Sequence, residues 1–358
     1  MANFAGNSII SKAKSMYSKR LFPSDYEELL KFNSIPEIVA YLKRNDKYSN
    51  TLNNVADNSI HRGQLEDLIK KSYFNNVAKL VNFVNKRDRK FYEIDMIKRE
   101  MEIVLSSLRS IISGNIESSI RDLPLFFKKH ASFDIEEVTK ALTFSELLIT
   151  LKKTRYHDVI EPFYEEDPID IRYTDIEQAL LSSYHNIVIE RINETFKGKV
   201  KKNLMDIYQA KVEVDNIIKI YRLKKFYNAP ESEIRKALVM ENIRMKKQDL
   251  EKLIQMEDPN EVLLSISDSV YQSYVDEDDY VYIEYQAEKI KYNISRRYMY
   301  FSNVPAIVYT VFIFLNEIEQ KNIFNIIEGI RYDIQKEDIR KMLIYWGDFD
   351  GNCKTKII

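Results

Sequence analysis

The chain has little of what tight turns and chemical sites are usually built from. Its 358 residues include seven glycines, eight prolines, four histidines and one cysteine. So few glycines and prolines leave little material for tight β-turns, which argues against a β-sandwich or a β-barrel. The single cysteine, Cys353, excludes an internal disulfide and is consistent with a reducing compartment.

An excess of charge of one sign and a long hydrophobic run are also missing. The net charge is −1, which predicts no general attraction to nucleic acid or to an anionic membrane. The longest apolar run, 304–315, would reach about 18 Å as a helix, against roughly 30 Å of bilayer hydrocarbon. We therefore predict a buried helix, with Asn303 as its cap and Pro305 in its first turn. The start at Met1 lacks the basic and apolar regions of a signal peptide.

What the chain does have is helical periodicity. Apolar residues make up 45% of the sequence and charged residues 30%, enough for sizeable cores under a polar surface. Leu65, Ile69, Ser72 and Tyr73 fall on one face of a helix with 3.6 residues per turn. The fold class is therefore predicted to be all-α. Long amphipathic helices are expected at 64–85, 94–112, 174–196, 203–226, 281–301 and 304–330.

One pattern occurs three times along the chain. It reads Asp-apolar-Glu-x-apolar, with a Glu twelve positions after the Asp and a Tyr ten or eleven further on. The copies begin at Asp25, Asp134 and Asp249, at offsets of 109 and 115 residues. The later members are Glu37 with Tyr48, Glu146 with Tyr156, and Glu261 with Tyr271.

This period is too long for an ordinary solenoid, so each copy is expected to be a small domain. The predicted division is 1–116, 117–229 and 230–358. The aspartates are expected to cap short helices, and each following Glu is expected to begin a second one. Residues 338–342 resemble a fourth, incomplete start.

Other polar residues recur in matching strings. Leu65-Glu66 is echoed by Ile176-Glu177, and Asn-Ile-Ile-x-x-x-Arg occurs at 216–222 and again at 325–331. Two interpretations stay open: buried groups that fix helix ends and packing, or groups that line an interface. The candidate structural or interface residues are Glu66, Glu177, Asn216, Arg222, Asn325 and Arg331.

A search for chemical motifs returns little. The sequence contains no G-x-x-x-x-G-K-[ST], no C-x-x-C and no H-x-x-x-H. His157, Asp158 and Glu161 have metal-like spacing, but without a second His or a Cys nearby we interpret them as a surface cluster. No catalytic residue, cofactor or metal is predicted. A triplicated body without a chemical motif indicates a mechanical or binding part.

Two short basic stretches are present. Residues 197–202 carry four lysines, and Arg296-Arg297-Tyr298 with Tyr300 mixes cations with aromatic rings. Nucleic-acid-binding proteins usually show a basic balance or stripe, which this chain lacks. A solvated loop is the favoured interpretation, with docking onto an acidic protein surface second.

The ordered repeat resembles the C subunits of the V/A-type rotary ATPases, which are the counterparts of the d subunits in eukaryotic vacuolar ATPases. The resemblance covers nearly the whole chain. It rests on the Asp-apolar-Glu starts, the Leu-Lys-Lys-Thr-Arg-Tyr string at 151–156, the Ile-Glu-x-x-Leu helix, and the Asp-Asn-Ile-Ile-x-x-x-Arg helix at 215–222. The first predicted domain, residues 1–116, departs most from this pattern, since residues 95–98 lack the Asn.

The resemblance implies three similar helical domains that form a funnel with approximate threefold symmetry. It implies a non-catalytic central-stalk subunit that joins the shaft subunits D and F to the membrane proteolipid ring and transmits torque for ATP-coupled proton or sodium transport. The subunit would lie on the cytoplasmic face of the membrane, without inserting in lipid or binding nucleic acid. The alternative is a helical adaptor that binds another assembly or nucleic acid.

Overall fold

The computed structural model describes residues 4–55, 60–84, 88–115, 125–267 and 283–345. These residues form α-helices and two short 3-10 turns, Glu161–Phe163 and Pro168–Asp170, and within them no strand occurs. The all-α prediction is confirmed. In chain order the helices are α1 (Phe4–Tyr17), α2 (Pro23–Leu29), α3 (Ile35–Leu42), α4 (Ser49–Leu52), α5 (Arg62–Val81), α6 (Arg89–Tyr92), α7 (Ile94–Ser113), α8 (Leu125–His130), α9 (Ile135–Lys140), α10 (Phe144–Leu151), α11 (His157–Ile160), α12 (Tyr173–Thr195), α13 (Gly198–Tyr227), α14 (Glu231–Ala237), α15 (Lys247–Gln255), α16 (Pro259–Ser267), α17 (Ile283–Phe301), α18 (Pro305–Arg331) and α19 (Lys336–Lys341).

The chain divides into two compact units. The first, unit 1, consists of residues 1–83 together with 263–358, and the second, unit 2, of residues 84–262. The first unit therefore combines the two ends of the sequence, whereas the second is continuous. The three-part division at 116 and 229 stays a prediction.

In unit 1 the central element is α18, which contacts α1, α5, α17 and α19. Its first part carries the apolar run, and every residue from 306 to 316 is buried, as predicted. A single apolar cluster includes Leu29 of α2, Leu42 of α3, Ile326 of α18 and Ile339 of α19. Residues from opposite ends of the sequence thus share one core.

In unit 2 the central element is α12, which contacts α6, α7, α11, α13 and α14. Helix α7 buries a face that includes Ile97, Met101, Val104 and Leu108, at the spacing of an amphipathic helix, and α9 and α10 pack against it. The short α6 contributes Phe91, whose ring packs edge-on against Phe196 with centroids 4.9 Å apart.

The starts of α18 and α13 differ from the predictions. Pro305 begins α18, but the residue that precedes it in the cap position is Val304, whose N–H donates to Ser302 Oγ at 3.2 Å. Asn303 is therefore not the cap. Helix α13 begins at Gly198, so most of the basic run at 197–202 is helical rather than a loop. Lysine is a good helix former, and Gly198 with φ of 57° supplies the left-handed turn that separates α13 from α12.

Within the described ranges, no helix combines the length and the apolar character needed to cross a bilayer.

Candidate functional site: the polar contacts of the repeated elements

The glutamate twelve positions after the repeated Asp fixes the start of the second short helix. At the start of α3, Glu37 Oε2 accepts the N–H groups of Asn33 and Ser34, each at 3.0 Å. At the start of α10, Glu146 Oε2 accepts the N–H of Leu142 at 2.8 Å. The hydrogen bond from Asn33 holds the pKa of Glu37 below its ordinary 4.5. These carboxylates satisfy amide groups that a helix start leaves without intrahelical partners.

The repeated aspartates act at the preceding helix, in two ways. Asp134 caps α9, because its side chain accepts two backbone N–H groups of the first turn. Asp25 lies at the third residue of α2 and accepts the N–H of Phe22 at 2.6 Å. Its predicted cap position is corrected, because Pro23, which suits a first helical residue, starts α2 earlier. Asp249 also lies at the third residue, of α15.

The repeated tyrosines reach buried glutamates on long helices. Tyr48 Oη donates to Glu319 Oε1 of α18 at 2.6 Å. Tyr156 Oη donates to Glu100 Oε2 of α7 at 2.7 Å. Burial raises the pKa of both tyrosines well above the usual range, so each phenol stays protonated and donates. Tyr271, the third copy, lies outside the described residues.

The two glutamates differ in their other partners. Glu319 also binds Lys47 Nζ at 2.7 Å and accepts the N–H of Leu21 at 3.2 Å. The Lys47 and Glu319 side chains are only 9% and 7% exposed, so this ion pair is buried. Glu100 instead accepts the N–H and Oγ–H of Ser132, at 2.6 and 3.0 Å. The glutamate of unit 1 therefore faces a cation, whereas the donors to Glu100 are neutral.

A second recurring contact is a buried asparagine that closes a pair of hydrogen bonds with one backbone residue. Asn216 of α13 donates Nδ2–H to the Val239 carbonyl at 2.8 Å and accepts the Val239 N–H at 3.1 Å. Asn322 of α18 makes the same two bonds with Ile344, at 2.7 and 2.9 Å. Each asparagine fixes the segment that follows a short helix against a long one.

These contacts match Asn216 with Asn322 rather than with Asn325. Asn325 lies nearly one helical turn further along α18, is half-buried, and donates Nδ2–H to the Met342 carbonyl at 3.1 Å. Asn322 was missed because the Asn-Ile-Ile string pointed to its neighbour. A signal was present, since a Glu stands three residues before each of the two clamped asparagines.

Glu66, one of the candidate residues, takes part in a link between α5 and α18 that Arg62 makes. Its Oε1 lies 2.6 Å from Arg62 Nε on the same helix. The same guanidinium pairs through Nη2 with Glu328 of α18. The Glu66 side chain is 17% exposed, so this three-residue link lies at the edge of the core rather than in open solvent.

Glu177 takes part in a comparable link between α12 and α7. Its Oε1 lies 3.5 Å from Tyr173 Oη. The same Tyr173 Oη accepts a hydrogen bond from Arg109 Nη1 of α7 at 2.7 Å. The Arg109 guanidinium also lies 5.7 Å from the centre of the Tyr173 ring. Glu66 and Glu177 therefore both participate in arginine-containing links from their own helix to a neighbouring long helix.

Arg222 and Arg331 are the two candidates that stand exposed at the surface. The guanidinium of Arg331 lies 5.0 Å from the ring centre of Tyr332.

A third recurring contact was missed in the sequence. Arg235 of α14 donates two hydrogen bonds to Glu251 of α15, from Nε and Nη2 to Oε2 at 3.0 and 2.9 Å. Arg340 of α19 forks onto Glu27 of α2, with Nε–Oε1 at 3.1 Å and Nη2–Oε2 at 2.9 Å. Hydrogen bonding to Arg340 holds the pKa of Glu27 below its ordinary 4.5.

The second Asp-apolar-Glu segment, which begins at Asp134, has a weaker version of this contact, Lys128 Nζ to Glu136 Oε1 at 3.2 Å. The overlooked signal is an Ile-Arg-Lys string shared by 234–236 and 339–341. Residues 338–342 were predicted to be a fourth, incomplete copy of the Asp-apolar-Glu pattern. They form the C-terminal part of α19 and its cap, and α19 contacts the first copy of the pattern in α2.

The metal-like cluster lies at the surface. His157 Nδ1 is 3.2 Å from Asp158 and 3.8 Å from Glu161, but the two acidic side chains are 90% and 61% exposed. Ligating atoms within 4.8 Å of one another are common among exposed acidic groups without an ion. We assign no metal to this cluster.

The described polar contacts share a role, which is to start helices and to join short helices to long ones. None of these contacts places a nucleophile beside a base or gathers buried ligands around a point. Chemically, the arrangement can hold helices in a fixed register.

The repeated elements lie in the part of the chain that matches known proteins. Residues 9–342 match the profile of a family described as the ATP synthase (C/AC39) subunit. The C subunit of the A-type ATP synthase of Methanosarcina mazei is 23% identical over 257 residues, which is 71% of this chain and 68% of that protein. All six candidate residues lie within the family match.

Proposed function

Since the chain belongs to the ATP synthase (C/AC39) subunit family, we propose that it is a non-catalytic rotor subunit of a V/A-type ATPase or ATP synthase. It joins the central shaft, subunits D and F, to the proteolipid ring of the membrane sector. It sits peripherally on the cytoplasmic face and transmits torque for ATP-coupled proton or sodium transport. The observation that carries the proposal is the family match over residues 9–342.

The helices have the dimensions of stiff struts. Helix α13 has 30 residues and α18 has 27. At about 1.5 Å per residue they are roughly 45 and 40 Å long. A part that transmits torque must not yield along its length, and long helices packed along one side supply that stiffness.

The polar contacts support the same role. Glu66 and Glu177 take part in arginine-containing links, and Asn216 and Asn322 clamp backbone segments against long helices. Hydrogen bonds of this kind are directional and hold one register, because sliding by one turn would leave the buried amides of Asn216 and Asn322 unpaired. The links therefore resist shear between helices.

The test is a pull-down of the tagged full-length chain from gently solubilised native membranes, with partners identified by mass spectrometry. We expect the shaft subunits, the proteolipid ring and the catalytic head to be recovered together. Recovery with soluble partners only would contradict the proposal and favour the helical adaptor.

Nucleic-acid binding is tested separately. Binding of DNA or RNA that weakens steeply as salt rises from about 50 mM would favour the nucleic-acid alternative. A matched control is the K199Q/K202Q variant, because it removes charge from the most concentrated basic run of the chain.

A further inference from the structure

Folding brings together two basic segments that are far apart in sequence. Residues 14–22 and 292–303 contain no Asp or Glu, although the whole chain has a net charge of −1. They contain five cations, and within unit 1 they meet at the C-terminal ends of α1 and α17. The cations are Lys14, Lys19, Arg20, Arg296 and Arg297, of which Lys19 pairs with Asp46 Oδ2 at 3.6 Å and the other four lie nearer the aromatic residues.

Three of these cations surround one tyrosine. Lys14 Nζ donates to the Tyr300 carbonyl at 3.2 Å, and Arg20 Nη2 donates to Tyr300 Oη at 3.2 Å. The Arg296 guanidinium lies 5.8 Å from the centre of the Tyr300 ring. The contacts from Lys14 and Arg20 join residues that are 286 and 280 positions apart, so the local charge could not be read from either segment alone.

Large aromatic side chains stand exposed at the same place. Phe301 is 82% exposed, Tyr300 47% and Phe22 43%. The Arg20 guanidinium lies 4.5 Å from the Phe22 ring centre. Exposed apolar rings beside cations are typical of contact surfaces rather than of solvated helix ends.

Helix capping explains part of this arrangement. Lys14 and Arg20 each bind a carbonyl near the C-terminal end of a helix, Tyr300 of α17 and Tyr17 of α1, the latter at 3.3 Å. Cations are favourable at such ends because of the helix dipole. Capping does not explain why Phe301 and Phe22 are exposed, nor why Arg297, four residues before Phe301 on α17, is exposed as well.

We propose that this surface adsorbs to anionic phospholipid headgroups. The basic aromatic surface is defined by Lys14, Arg20, Phe22, Arg296, Arg297, Tyr300 and Phe301. Guanidinium groups match phosphate oxygens in geometry and charge, and aromatic rings settle at the headgroup level of a bilayer. Adsorption of this kind needs no membrane-spanning helix. It goes beyond the proposed function, because contact with the proteolipid ring does not require contact with lipid.

The test is sedimentation of the purified full-length chain with vesicles at low salt. One set is phosphatidylcholine alone, and the other contains about one third phosphatidylglycerol, as a probe of anionic headgroups. We expect binding to the anionic vesicles only, weakening as salt shortens the range of the attraction. The R296Q/R297Q variant is expected to lower the partition coefficient about 25-fold, at roughly five-fold for each cation near the surface.

Matched controls separate the surface from charge in general. K199Q/K202Q removes the same charge from lysines of α13 and is expected to leave binding within about two-fold of the unmodified chain. Phe301→Ser is expected to weaken binding several-fold. Ile169→Ser, at a residue that is 89% exposed in unit 2, is expected to leave it unchanged.

Several outcomes would overturn the proposal: no sedimentation, equal binding to both vesicles, or equal losses in R296Q/R297Q and K199Q/K202Q. Loss of the shaft or ring subunits from a pull-down with R296Q/R297Q, without vesicle binding by the unmodified chain, would also overturn it and assign the surface to an acidic protein. The proposed function is judged separately, by whether the unmodified chain recovers the ATPase.

Discussion

The helix pairs α14–α15 and α19–α2 make the same arginine–glutamate contact, but the two residues of each pair are separated by very different lengths of chain. In the first pair, Arg235 and Glu251 are 16 residues apart. In the second, Arg340 and Glu27 are 313 residues apart. In an unstructured chain, closing the longer loop would cost about 2–3 kcal/mol more.

The distant pair has additional contacts. Tyr345 Oη donates to Glu27 at 2.8 Å, and the Tyr345 ring stacks on Tyr26 with centroids 4.9 Å apart. Lys336 Nζ donates to the Lys31 carbonyl at 3.0 Å. The recurring arginine–glutamate contact thus belongs to the packing of a helix pair, and extra contacts accompany it where the chain gives no short connection.

The largest expected effect separates the two buried glutamates. Glu319→Gln leaves Lys47 buried without a counter-charge and should lower the free energy of unfolding by about 3 kcal/mol. The Glu100 carboxylate faces only neutral donors, so Glu100→Gln should lower the free energy of unfolding by about 1 kcal/mol. Urea unfolding followed by circular dichroism measures both changes.

The matched controls for this prediction are Tyr48→Phe and Tyr156→Phe, each of which removes one donor to its glutamate. Their costs should be similar, at about 1–2 kcal/mol. Equal losses in the two glutamate variants would show that Lys47 does not distinguish the two sites.

The next effect concerns the approach of α19 to α18. A Cβ added at Gly329 would overlap the buried side chain of Ile339. Gly329→Ala should therefore lower the free energy of unfolding by about 2 kcal/mol and increase hydrogen exchange in α19. Gly63→Ala is the control, because nothing lies within 4 Å of its added Cβ and the stability should be unchanged or slightly higher. A stable Gly329→Ala protein with unchanged exchange in α19 would contradict this packing.

A smaller effect tests the comparison of the two helix pairs directly. Arg340→Gln and Arg235→Gln each remove a forked but partly exposed pair, which is worth about 0.5–1 kcal/mol. Hydrogen exchange should rise in α19 and α2 for the first variant, and in α14 and α15 for the second. The rise should be larger for α19, since no short connection returns it to α2. The double exchange of Glu27→Arg with Arg340→Glu should restore protection, and failure to do so would show that the pair does not hold the helices.

The smallest effect depends on pH and is confined to unit 2. Burial lowers the pKa of His185, whose Nε2 donates to the Asn242 carbonyl at 3.0 Å, below its usual 6.5. The unfolded chain therefore takes up the proton first, and this contribution to stability is present above pH 6.5 and lost as pH falls through the folded-state pKa. His185→Gln should flatten the pH profile of unfolding below that usual pKa.

Gln209→Leu is the control for His185, because Gln209 donates to the same carbonyl at 3.0 Å but does not titrate. It should lower stability by a similar amount at each pH. A His185→Gln profile that keeps the full pH slope would assign the dependence to another group.

Local periodicity was sufficient to predict much of this fold. The predicted helix at 94–112 is observed as Ile94–Ser113, and that at 174–196 as Tyr173–Thr195. Helix starts were predicted less well, because Asp25 and Asn303 compete with a neighbouring proline that suits a first helical residue.

The contacts between distant residues could not be predicted in this way. The sequence singles out Tyr48 but not its partner Glu319, which lies 271 residues away among many other carboxylates. The sequence predicts that both Asn322 and Asn325 lie in the helix at 304–330. Only packing decides which of them makes the pair of hydrogen bonds with a backbone residue. Only part of the basic aromatic surface could be read from the sequence, since Arg296 and Tyr300 stand close together in it, whereas Lys14 and Arg20, which contact Tyr300, lie about 280 positions earlier.

The division of the chain into a continuous unit and one built from both ends has a consequence for biosynthesis. A ribosome adding 5–20 residues per second needs roughly ten to forty seconds to make the segment 84–262. Throughout that time Leu29 and Leu42 have been made, while Ile326 and Ile339, members of the same core cluster, have not. Unit 2 can fold as it emerges, but residues 1–83 must wait with apolar surface uncovered. Within the nascent chain, residues 1–83 are therefore exposed to aggregation and to chaperones for longer than unit 2.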